Sequence, residues 1–258
     1  MADGVSRAAG DILDAVMPFL RRYGRALSGC RRTGDQLANR ARQLARPKIL
    51  DVSVRAIRIE LFRALADIWE DPPMLSFSQV AARNRMRQVS RHSREVLLLR
   101  TIEEFVFEDI ALILRIEPES VPALFETALL EMPYRPRKRV LLIEDDTLIA
   151  MDMANCVSEM GCEVTGVART AAQAIEMGRD MAPELIIAST ELAEGSSGRA
   201  AVSALQARHP KLDAVFVSPY PEHYLTGATS EPVLIIAKPC FDVQVRSVVS
   251  QSFILSGA

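Results

Sequence analysis

The sequence predicts two folds in one chain: an all-α half, then an α/β half on a five-stranded, parallel, doubly wound sheet. Three observations carry this. Ile12, Leu13, Val16, Phe19, Leu20, Tyr23, Ala26 and Leu27 recur at helical spacing, and helix-like runs continue to about residue 132. The run Arg139-Val140-Leu141-Leu142-Ile143 passes directly into Glu144-Asp145-Asp146. That is the pattern of a buried parallel strand delivering carboxylates to its C-terminal edge, where ligands bind in such sheets. Beyond it, strand-like and helix-like runs alternate, which places helices on both faces of the sheet. The plain alternative for Asp145 or Asp146 is a cap on the following helix.

Length and composition set the frame. At 258 residues the chain fits two domains of roughly 150 residues or fewer. A 49% share of hydrophobic residues with only 5% aromatics points to an aliphatic core. No apolar run reaches the ~18 residues of a membrane span. Asp3, Asp11 and Asp14 are wrong for a secretory leader. Cys30, Cys156, Cys162 and Cys240 have neither CxxC nor zinc spacing and read as reduced thiols. The expected location is the cytoplasm, with no membrane partner.

Charge is uneven. Residues 21–63 hold 12 Arg and Lys against 3 acids, and residues 101–131 hold 1 Arg against 8 acids. A basic block serves nucleic acid, an acidic partner or only a solvated face.

The elements follow in order. The first helix ends near Gly29; Gly34 is a second break, and the next helix is predicted from about Asp35 to Arg46, stopped by Pro47. A third spans about Asp51 to Trp69, closed by Asp71-Pro72-Pro73, and an Arg-rich link covers Ala82 to Arg91. Helices at Ser93–Ile102, Phe107–Leu114 and about Glu119–Met132 complete the half, the last two in helix-turn-helix order around Arg115-Ile116-Glu117-Pro118. Strands are predicted at Val140–Ile143, Glu163–Ala168, Leu185–Ala188, Ala214–Ser218 and Val233–Ala237. Helices end near Met160, cover Ala171–Met181 and Gly198–Arg208, and close the chain.

Leu20 to Asp35 (LRRYGRALSGCRRTGD), with the Ile-rich helix ending in Ile68-Trp69, resembles region two of extracytoplasmic-function sigma factors. Ser93 to Leu130 resembles their region four. The α/β half resembles a response-regulator receiver, a flavodoxin-like fold. LIEDDTLIAMDM, LAEGSSG (Leu192 to Gly198) and SPYPEHYLTG (Ser218 to Gly227) are similar to the receivers of the PhyR family. On this resemblance residues 1–75 and 76–133 are two sigma-like subdomains and residues 134–258 a receiver. The final helix of the sigma-like half argues against promoter binding, because Glu119 to Glu131 offers no basic residue to bases or phosphates.

The resemblance implies parts. Glu144 and Asp145 correspond to the acids that hold Mg²⁺, Ser218 to the phosphoryl-contacting hydroxyl, and Lys238, before Pro239, to the neutralising lysine. Ser189 stands where the phosphoacceptor aspartate belongs. A serine forms no labile acyl phosphate, so the receiver reads as degenerate, with a weakened Mg²⁺ site. Glu191 is a poor stand-in; Ile235 replaces the usual aromatic switch residue and Cys240 the usual Phe.

The function implied is a partner switch in the general stress response, the sigma mimic binding an anti-sigma factor of the NepR type without Asp phosphorylation. Docking between the sigma-like half and the receiver is part of the family's scheme; the basic block against the acidic receiver would suit it. A histidine kinase is a further candidate partner. The rival readings are a DNA-binding sigma factor with an appended receiver, favoured by the basic block alone, and a decoy competing with an intact PhyR. No enzyme is expected: His92, His209 and His223 lie in loop-like contexts, and Gly195-Ser196-Ser197-Gly198 lacks the lysine of a phosphate loop.

Overall fold

The computed structural model describes residues 2–45, 53–70, 92–131, 138–225, 232 and 234–256. The predicted stops at Pro47 and Asp71-Pro72-Pro73 and the link Ala82–Arg91 lie outside them. The chain forms two compact units, residues 1–131 with 225–229, and residues 132–224 with 230–258.

Among the described residues the helical unit contains α1 (Ala2–Ser28), α2 (Arg31–Ala45), α3 (Val54–Glu70), α4 (Ser93–Thr101), α5 (Phe107–Leu114) and α6 (Ser120–Glu131). The predicted stripe of α1 is its core face: Leu13, Val16, Leu20, Tyr23, Ala26 and Leu27 are buried. Tyr23, Phe62 and Phe105 form an aromatic chain from α1 through α3 to the α4–α5 connection, with centroids 5.3 and 4.9 Å apart. These contacts join α1 and α3 to the α4–α5 connection in one core.

One expectation is corrected. Gly34 does not precede α2 but lies inside it, and the helix starts at Arg31. A Cβ on Gly34 would fall 2.3 Å from the Arg25 backbone nitrogen, and one on Gly24 2.8 Å from the Gly34 carbonyl oxygen. The glycine pair lets α1 and α2 cross backbone to backbone.

The α/β unit runs β1 (Arg139–Ile143), α7 (Thr147–Glu159), β2 (Glu163–Ala168), α8 (Ala171–Asp180), β3 (Leu185–Ser189), α9 (Gly198–Arg208), β4 (Asp213–Ser218), β5 (Leu234–Ala237) and α10 (Asp242–Ser256). The sheet order is β2-β1-β3-β4-β5, all parallel. Helix α7 packs with α10 and α8 with α9, covering both faces. Every residue of β3 is buried, as a continuous apolar strand requires. The register pairs Ile143 with Ala188, Ser189 with Val217 and Ser218 with Ala237. The C-terminal ends of β1, β3, β4 and β5 therefore form one edge. Ile235 is buried within β5. Among the described residues no helix is long and apolar enough to cross a membrane.

Candidate functional site

The edge brings Glu144, Ser189 and Lys238 into direct contact. Lys238 Nζ lies 2.6 Å from Glu144 Oε2 and 3.1 Å from Ser189 Oγ. Ser189 Oγ donates to the Glu191 backbone carbonyl at 2.7 Å. Glu144 is buried and Lys238 half-buried. Burial pushes the Glu144 carboxyl above its usual range, and the Lys238 ammonium and the Asp146 N–H pull it back.

The two aspartates divide their work. Asp146 accepts from the backbone N–H groups of Leu148 and Ile149 at 2.8 and 3.1 Å and caps α7. Asp145 reaches across the edge, where its Oδ2 accepts from the Ala193 N–H at 2.9 Å. Its backbone carbonyl accepts from Arg169 at 2.9 Å. Ser218 is fully buried, and its Oγ accepts from the Tyr220 N–H at 3.1 Å. Only the backbone of Glu191 joins this network: its side chain is exposed, and its Oε1 accepts from the Tyr224 hydroxyl at 3.3 Å.

A divalent ion fits this set poorly. Mg²⁺ wants near-octahedral oxygen ligands at about 2.0–2.1 Å. Here one expected ligand is salt-bridged to an ammonium and the other faces a loop amide. Position 189 adds a hydroxyl whose hydrogen is already donated. Close packing also constrains the pocket: a Cβ on Gly198 would sit 1.9 Å from the Ser189 carbonyl oxygen. Gly198 is thus a packing glycine, and Ser197 before it caps α9 through the Ala200 N–H.

The remaining sequence candidates are placed simply. His92 precedes α4 in a left-handed conformation, His209 follows α9, and His223 stacks on Tyr220. Cys240 is half-buried and lines a 210 Å³ cavity with Cys156, Met153 and Val245.

In the helical unit the basic block finds acids close by. Arg22 donates through Nε and Nη2 to both oxygens of Glu103 at 2.9 and 3.0 Å, and again to the Ile102 carbonyl at 2.7 Å. Arg58 donates to the Glu103 carbonyl and lies over the Phe105 ring. Further ion pairs join Arg25 to Asp35, Arg42 to Asp14, Arg55 to Asp109 and Arg63 to Glu60. Arg94 is buried and donates to the Ala26 carbonyl; burial pulls its guanidinium down to about 10. No local pattern in the sequence pairs residue 22 with residue 103, so this clamp was not legible there.

The chain is 35% identical to the phyllosphere-induced regulator PhyR of Methylorubrum extorquens over 244 residues, covering 92% of this chain and 91% of that protein. It belongs to the PhyR family. The Sigma2 domain of PhyR matches residues 13–66. The PhyR response regulator of Brucella abortus superposes with a TM-score of 0.77 at 29% identity, over 96% of this chain and 93% of that one. The anti-anti-sigma factor PhyR of Bartonella quintana superposes at 0.72 with 26% identity, over 92% of each chain. That Bartonella protein has also been solved in complex with the anti-sigma factor NepR, with a TM-score of 0.39 at 26% identity, over 95% of this chain and 98% of that one. Within the PhyR family the two units are a sigma-factor-like domain and a receiver.

Proposed function

We propose that this chain is an anti-anti-sigma factor whose sigma-like unit occupies an anti-sigma factor of the NepR type, and that it does so without Asp phosphorylation. The observation that supports this best is the surface of α6. It carries no cation; Leu130 is 86% exposed, Leu124, Phe125 and Leu129 are half-buried, and Glu126, with Glu119 just before the helix, faces solvent. An apolar, acidic face suits a protein partner and repels phosphate. The ion pairs of Arg22, Arg25, Arg42, Arg55 and Arg63 further reduce the charge that DNA would need.

The action is binding, not catalysis. Ser189 Oγ already gives its hydrogen to the Glu191 carbonyl at 2.7 Å, and the neighbouring Lys238 Nζ is engaged by Glu144 at 2.6 Å, so no base faces the hydroxyl. Titration of the untreated full-length protein with NepR by calorimetry tests the proposal. Saturable binding is expected, and its absence would contradict the partner assignment. A DNA-binding sigma factor is the rival, drawing on Arg32 and Arg40, exposed on α2. It predicts a promoter shift that weakens steeply with salt.

A further inference from the structure

We infer that Lys238 is the resident cation of the strand-end pocket, holding it closed where a receiver would seat a divalent ion. This deepens the phosphorylation-independent reading above and rests on it for the role of position 189. Position 189 lacks a carboxylate. With Ser189 in place of an aspartate, the nearest anion for the Lys238 ammonium is Glu144, the first of the two expected metal ligands, and the contact is 2.6 Å. The second contact, to Ser189 Oγ at 3.1 Å, makes that hydroxyl an acceptor, while its hydrogen goes to the Glu191 carbonyl. Asp145 completes the arrangement by turning to the Ala193 N–H.

Electrostatics works in the same direction. Two carboxylates and one ammonium leave a single net negative charge, one fewer than an aspartate at 189 would leave. A divalent ion would have to displace Lys238 from a buried carboxylate, leaving an unpaired ammonium beside a double positive charge. The bond also has a mechanical role. Glu144 follows β1, Ser189 ends β3 and Lys238 follows β5, so one ammonium ties three strand ends together.

Mn²⁺ is a suitable probe, because its free-ion electron paramagnetic resonance signal disappears on binding. Full-length wild type, Ser189→Asp and Lys238→Met would be titrated after circular dichroism confirms their folding. Wild type is expected to leave the signal intact. Ser189→Asp, which draws Lys238 away from Glu144, is expected to bind on the order of tenfold more tightly. Lys238→Met is expected to gain binding as well, since it removes the competing cation; if Ser189→Asp does not fold, this variant decides alone. Wild-type binding equal to that of the folded variants, or no gain in any folded variant, overturns the inference. NepR is absent from this experiment, so its failure leaves the partner reading intact, and the reverse.

Discussion

Two ion pairs, one in each unit, join residues far apart in the chain and behave differently. Arg22 and Glu103 meet with side-chain exposures of 5% and 0%, and Glu144 and Lys238 with 2% and 18%. The guanidinium fork matches both carboxylate oxygens and has a backbone carbonyl to spare, so the first pair is a closed clamp. The ammonium is a point charge on a flexible stem at a pocket mouth, and it takes one carboxylate oxygen and one hydroxyl. The clamp ties α1 to the α4–α5 connection of the sigma-like unit, whereas on our proposal the lysine quiets a chemical site.

The largest effect that would break this contrast lies at the clamp. Glu103→Ala leaves Arg22 buried without its carboxylate and is expected to cost the sigma-like unit about 3–5 kcal/mol. Trp69, the single tryptophan, is buried in that unit, so its fluorescence in a urea titration reads the loss directly. At the receiver, Glu144→Ala is expected to cost about 1–3 kcal/mol, seen by circular dichroism with the Trp69 transition unmoved. Equal losses at the two sites would erase the distinction.

Exposed pairs should hardly register. Asp14→Asn, against Arg42 with side chains 65% and 42% exposed, is expected to change stability by less than about 1 kcal/mol in the same urea titration. The thiols sharpen the comparison further. Cys30 is exposed; burial pushes its thiol up, but hydrogen bonds from Thr33 and Arg32 outweigh this and lower it. Cys156 is buried, which pushes its thiol to about 11. Iodoacetamide at mildly alkaline pH should label Cys30 first and Cys156 last, as peptide mass mapping would record.

Much of this was legible in the sequence, for physical reasons. Phe107–Leu114, Glu163–Ala168 and Gly198–Arg208 fall where periodicity places them, because each is a short element with clear punctuation. Glu144, Ser189 and Lys238 come together because parallel strands align their ends, so strand position alone predicts proximity. What stayed hidden depends on tertiary contact. Gly34 reads as a break until α1 lies against it. The basic block reads as a free face until Glu103 and Asp109 answer it. Asp145 and Asp146 are indistinguishable as a string, and only the backbone geometry makes one a cap and sends the other to Ala193.

On the proposed reading the sigma-like surface works while the receiver pocket is chemically silent. The direct measurement is NepR affinity of the full-length protein by calorimetry, with and without Mg²⁺ and acetyl phosphate. The expected result is binding in both conditions with dissociation constants within about twofold. Binding that appears only with the phosphodonor, or tightens by about tenfold or more, would contradict the account.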